Sequence, residues 1–148
     1  MCQYSAHEGY VDDWHLVNLG RFAMGGAGLI ITEATAVQKK GRITHGCPGI
    51  WKDEQIIGHS RIAQFISRNG AIPGIQLGHA GRKASMQRPW YGNGPLNEDD
   101  FARGDMPWNI VAPSAYSVGE GWQIPEEMSE EQICELIDDF IAAARRAI

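Results

Sequence analysis

The sequence predicts an α/β chain of repeated βα units around a parallel sheet, of the (β/α)8 barrel type. Short apolar runs at residues 27–32 and 72–77 alternate with amphipathic stretches of helical period. The runs are nearly continuous in apolar residues, as expected for strands of a parallel sheet covered on both faces. Polar residues then stand where the strand ends should be: Cys2 and Tyr4, Thr32-Glu33-Ala34, and Gln76 with His79. A barrel presents its site residues at the C-terminal ends of successive strands. An open dinucleotide-binding sheet would instead need a Gly-rich turn directly after its first strand. The candidate for that turn, Gly25-Gly26-Ala27-Gly28, follows a helix and precedes a strand, so it reads as a helix stop.

Each element has local signals. Asp12 or Asp13 can cap a helix running to about Met24, stopped by Gly25-Gly26. The strand at 27–32 ends in Thr32-Glu33. Asp53 can cap a second helix through Ile56, Ile57, Ile62, Ala63, Phe65 and Ile66, stopped by Asn69-Gly70. The strand at 72–77 follows, with a lone amide, Gln76, in an apolar run. A buried amide needs a hydrogen-bonding partner, and ligands in parallel α/β architectures sit beyond such strand ends, so Gln76 points to a ligand. Residues 80–128 form a long insertion rich in Gly, Pro and Trp; loops of that length are usually functional. Ser129-Glu130-Glu131-Gln132 matches a capping box. Behind it Ile133, Leu136, Ile137, Phe140, Ile141 and Ala144 repeat at helical spacing.

Composition narrows the function. The 148 residues are 43% hydrophobic, enough for one core, and carry a formal net charge of -5. That charge argues against nucleic acid or an anionic membrane as the main partner. No apolar run approaches the roughly 20 residues of a membrane span. Cys2, Cys47 and Cys134 are widely spaced without a C-x-x-C pair, which suits a reducing cytosol and no structural metal.

Taken in order, Met1-Cys2-Gln3-Tyr4-Ser5, Gly28 through Val37, Gly41-Arg42-Ile43, Gly49-Ile50-Trp51 and Gly74 through Lys83 resemble the Old Yellow Enzyme family. These are FMN-dependent ene-reductases, or NADH:flavin oxidoreductases. The likeness is to the thermophilic-like, xenobiotic-reductase branch, which has cysteine where other branches have threonine. The resemblance implies the N-terminal part, about three βα units, of a TIM barrel. The Ser-Pro before Met-Cys, the His-x-x-His pair, the proton-donating tyrosine beyond it and the phosphate loops of FMN have no counterpart. The chain is therefore expected to be a piece of a longer protein.

The resemblance also implies roles. Met1, Cys2, Ala34 and Gln76 would contact FMN: Cys2 at the N5/O4 edge, Ala34 by letting backbone reach the pyrimidine edge, and Gln76 at O2 and N3-H. Tyr4, two residues beyond Cys2 on an extended segment, would line the substrate pocket on the same side. Lys83 is a candidate for substrate or nicotinamide contact. Each residue also has a plain reading: Cys2 as a small buried hydrophobe, Tyr4 as a core tyrosine, Ala34 as an ordinary strand-end alanine, Gln76 as an amide paired with backbone. His79 and Arg82 are expected to organise the turn, and Thr32 and Glu33 to stabilise the strand end. Cys47 and Cys134 match no motif. Trp90, Trp108 and Trp122 fit a lid over a pocket or a seal between the insertion and the barrel or a second subunit.

By the same resemblance, the parent reaction carries hydride from NADH or NADPH through FMN to the activated C=C of an enone-type small molecule, in a cytoplasmic homo-oligomer. The polarising histidines lie outside these residues, so no catalytic residue is assigned within them. The rival expectation is a non-catalytic half-barrel completed by a partner chain or by dimerisation. A metal-dependent barrel hydrolase is disfavoured, because no His-x-His follows the first strand.

Overall fold

The computed structural model describes residues 1–148. Its main elements are α1 (Asp13–Met24), β1 (Leu29–Ala36), α2 (Ile56–Arg68), β2 (Ile72–Gly78) and α4 (Glu130–Arg146). Between β2 and α4 lie two 3-10 turns (Gly81–Lys83 and Pro89–Tyr91), a short helix, α3 (Glu98–Ala102), and two-residue strands β3 (Val111–Ala112) and β4 (Glu126–Glu127). Residues 1–6 form neither helix nor strand.

The caps show why the helices begin where they do. Asp12 caps α1: its side chain accepts from the Trp14 amide, and His15 reaches back to the Asp12 amide. Ser129 and Gln132 cap α4 reciprocally, with the Gln132 amide 3.2 Å from Ser129 Oγ and the Ser129 amide 2.9 Å from Gln132 Oε1. Asp53 does not cap α2. It begins a 3-10 turn (Asp53–Gln55) leading into the helix, and its carboxylate takes Arg146 Nε of α4 at 2.7 Å. A tertiary cation outcompeted the local amides for that oxygen.

β1 and β2 pair in parallel, as βα connectivity requires. Their register runs Leu29–Ile72, Ile30–Pro73 and Ile31–Gly74, then resumes at Ala34–Gln76. One extra residue on β1 is absorbed between Ile31 and Ala34, a bulge that re-aims the following side chains. β1 also extends beyond the expected 27–32, so Thr32-Glu33-Ala34 lies within the strand rather than after it.

Helices α1 and α2 cover one face, burying Ala23, Ile30, Ile62, Ile66 and Ala71. Their approach is close: a Cβ on Gly20 would come within 2.7 Å of the Phe65 ring. A second cluster, Val37, Ile50 and Ala143, receives Leu77, Leu136 and Phe140. The other face of the sheet is open, with Leu29 56%, Ile31 55% and Ile72 65% exposed. Half of the α4 stripe is also uncovered, at Ile133, Ile137 and Ile141. The expectation of strands buried on both faces is therefore corrected: the described residues supply a helical layer on one side only. No helix is long and apolar enough to cross a membrane.

Ile66, 1% exposed at the centre of the larger cluster, is the sensitive point of this core. Ile66→Ala is expected to cost about 2–4 kcal/mol in urea unfolding, whereas Ile57→Ala on the exposed side of α2 should stay within about 0.5 kcal/mol. Equal costs would contradict the packing described.

Candidate functional site

The ends of β1 and β2 and the loop after β1 enclose a shallow cavity of about 150 Å³. Ala34 and Gln76 meet there as direct partners across the ladder, and Arg42, Ile43, Cys47 and His79 complete its wall. Gln76 is exposed, not buried as its apolar surroundings suggested, because its side of the sheet is the uncovered one. Its amide thus faces open space with donor and acceptor both on offer.

Cys2 and Tyr4 stand beside this pair. The Cys2 thiol lies near the Ala34 backbone and the Tyr4 hydroxyl. Burial chiefly pushes the thiol's pKa above its ordinary value, and the Glu33 carboxylate adds to the rise. Burial likewise raises the Tyr4 phenol, followed by the charges of Cys2 and Cys47. Tyr4 does not extend from Cys2 along a strand as expected. Its φ is +53°, a left-handed conformation, and the turn is what brings phenol and thiol together. The Tyr4 ring also meets Trp90 edge-on at 6.0 Å.

Two proposed contacts are not gathered here. Met1 is fully exposed, with its carbonyl accepting from Gln3 Nε2, and Lys83 is exposed on the 3-10 turn Gly81–Lys83. Neither lines the cavity. His79 organises the turn after β2, its Nδ1 accepting from the Gly81 amide at 3.1 Å. Its ring lies so close to Gly41 that a Cβ there would stand 2.4 Å from Cδ2. Arg82 reaches Ser114 Oγ at 3.4 Å.

Arg42, quoted in the sequence only as part of the Gly41-Arg42-Ile43 motif, was given no role there. It is 4% exposed, its guanidinium lies over Trp51 and Trp108, and its Nε donates to the Lys39 carbonyl at 3.0 Å. Cys47, which matched no motif, is buried in the same wall and accepts from the Thr44 amide. Trp108 seals the insertion against the barrel loop: its indole donates to the Lys40 carbonyl at 2.8 Å and meets His45 edge-on at 4.8 Å. No cluster of side chains could hold a metal ion.

A family model described as the NADH:flavin oxidoreductase / NADH oxidase family matches residues 1–148. The chain belongs to that family. An NADH:flavin oxidoreductase from Gibberella zeae is 47% identical over all of the chain and 36% of its own length. An NADPH dehydrogenase of Bacillus subtilis is 40% identical over 99% of the chain and 38% of its own length. The chain thus spans little more than a third of these curated relatives.

Among solved structures, morphinone reductase superposes with a TM-score of 0.76 at 24% identity, over 98% of this chain and 38% of that one. An Old Yellow Enzyme from Pichia superposes with 0.76 at 24%, over 98% and 36%. A 2-naphthoyl-CoA reductase gives 0.80 at 22%, over 99% and 22%. At these identities the likeness shows the fold, a part of the family's TIM barrel.

His59 and His79 are both held below the ordinary imidazole value, chiefly by burial. The folded chain therefore binds fewer protons than the unfolded chain just below pH 6.5, and stability falls with pH there, by up to about 1.4 kcal/mol per pH unit for each proton. The urea midpoint is expected to drop between about pH 7.5 and 5.5, and His59→Gln should flatten the slope. A flat midpoint in the unaltered chain would contradict the burial of both rings.

Proposed function

We propose that this chain forms the isoalloxazine seat of an FMN-dependent ene-reductase. The supporting observation is the direct pairing of Ala34 with Gln76 at the ladder's end, with Cys2 and Tyr4 adjoining. A small side chain opposite an unpaired amide suits a flat heterocycle bearing a carbonyl next to an N–H: the methyl leaves room, and the amide can donate and accept together. The residues present fit the flavin.

When bound, FMN would supply hydride transfer from NADH or NADPH to an activated C=C. The chain's own residues would bind and orient it. Gln76 would hold the pyrimidine edge, and Ala34 would admit backbone groups to it. Cys2, kept protonated by its surroundings, would present a thiol hydrogen bond that tunes the flavin's electronics. Tyr4 would line the space where an enone lies against the ring, with Met1 and Lys83 as outer contacts. Orientation of this kind lowers the barrier by fixing the reacting partners in advance.

A second reading rests on the open faces at Leu29, Ile31 and Ile72: a non-catalytic half-barrel completed by a partner chain or by its own dimer. Such exposure of a sheet face and edge favours association.

Ligand-observed NMR with FMN distinguishes the two. The purified chain should bind weakly, with Ala34→Trp abolishing the signal and Gln76→Ala weakening it about tenfold. It should not oxidise NADPH in response to cyclohexenone. Equal affinity in all three forms overturns the seat, while stoichiometric yellow flavin with enone-dependent turnover overturns the expectation of inactivity. A colourless dimer with no FMN signal favours the second reading.

A further inference from the structure

The wall carrying Cys2 and Tyr4 belongs to no helix or strand. Such a segment stays loose unless side chains or backbone bonds tie it down. Toward its far end the Ala6 amide donates to the Gly46 carbonyl at 2.9 Å. At the site itself the tie is a carboxylate: the Gln3 amide donates to Glu33 Oε2 at 2.9 Å. The next residue, Tyr4, is left-handed, with φ +53°.

Glu33 is 6% exposed and lies inside the β1 bulge, next to Ala34. Its other oxygen faces His15 Nε2 of α1 at 3.7 Å. One carboxylate thus connects the helix layer, the sheet and the segment bearing the two site side chains. Packing alone would be served better by an apolar residue, since a buried charge is costly to desolvate. The Gln3 amide gives the carboxylate its use there.

We propose that Glu33 is a positioning residue: its buried carboxylate clamps the Gln3 amide, between Cys2 and Tyr4, and so sets where the Cys2 thiol and Tyr4 phenol meet the proposed flavin seat. The proposal rests on that reading for its purpose, but not for its test. Two further facts agree with it. Burial first, and the Glu33 charge next, hold the Cys2 thiol above its ordinary pKa. The carboxylate itself is raised by burial and drawn back by the Gln3 amide, His15 and the Tyr4 amide.

The test uses the chain as it stands, without flavin. Alkylation of Cys2 by iodoacetamide is followed against pH with peptide-resolved mass spectrometry, using exposed Cys134 as internal reference. Amide exchange at Gln3 is followed by NMR. In Glu33→Gln the Cys2 profile should move to lower pH, raising its rate near pH 8 about threefold or more, while Cys134 stays unchanged. Exchange at Gln3 should rise about tenfold. Glu33→Asp keeps the charge but loses reach, so exchange should quicken while the Cys2 profile changes by less than about twofold.

Unchanged exchange in both variants, or a Cys2 profile in folded Glu33→Gln that superposes on the unaltered chain, overturns the proposal. If Glu33→Gln does not fold, exchange in Glu33→Asp decides by itself: faster supports the clamp and unchanged overturns it. Failure of FMN to bind affects neither readout, so the two proposals fall separately.

Discussion

The structure depends on the parallel ladder between β1 and β2 and on the single bulge within it. Side chains alternate along a strand, so one extra residue exchanges the faces of everything beyond it. Before the bulge, Ile30 packs under α1 and α2 while Leu29 and Ile31 face the open side. Beyond it, Ala34 stands opposite Gln76, and Thr35 is fully buried. Without that insertion in the register, the amide and the small residue would not share a cavity. The bulge also holds Glu33, so the element that aims the sheet toward the cavity reaches the neighbouring wall as well.

Around the ladder, polar groups are buried where they fasten elements to one another. Arg42 lies over two tryptophans and bonds a carbonyl, fixing the loop after β1 and, through Trp108, the start of the insertion's packing. His79 fits a space that only glycine at position 41 leaves. Arg146 at the end of α4 reaches Asp53 ahead of α2, and Gln38 reaches Asp139 of the same helix. The cavity wall is therefore held by long-range contacts, which suits a seat that must present backbone and side-chain groups in fixed positions.

Much of this was legible in the sequence, for reasons that differ by residue. The caps at Asp12 and Ser129 are local chemistry, decided within four residues, and the glycine stops after α1 and α2 are local too. Asp53 misled because its partner, Arg146, lies 93 residues away. The stripe on α4 correctly marked a helix, but periodicity records only that a face is apolar, not whether anything covers it. Gln76 drew attention as an amide expected to be buried in an apolar run, yet it faces outward on the uncovered side of the sheet. Cys47 carried no signal and Arg42 stood in a motif without a role, since what brings them to the cavity is the folding of a loop.

By itself, the sequence determined the order of the main helices and strands, the caps of α1 and α4, the parallel βα class and the family whose motifs it bears. Those are local or cumulative properties of the chain, set by propensity, period and residue type. The tertiary structure alone decided the register across the ladder, the left-handed turn at Tyr4, and which carboxylate receives which amide. These depend on contacts between residues far apart in sequence, such as Gln3 with Glu33 and Ala34 with Gln76. Spacing along a chain does not encode such meetings, because a one-residue shift in pairing leaves every local preference satisfied and moves the site.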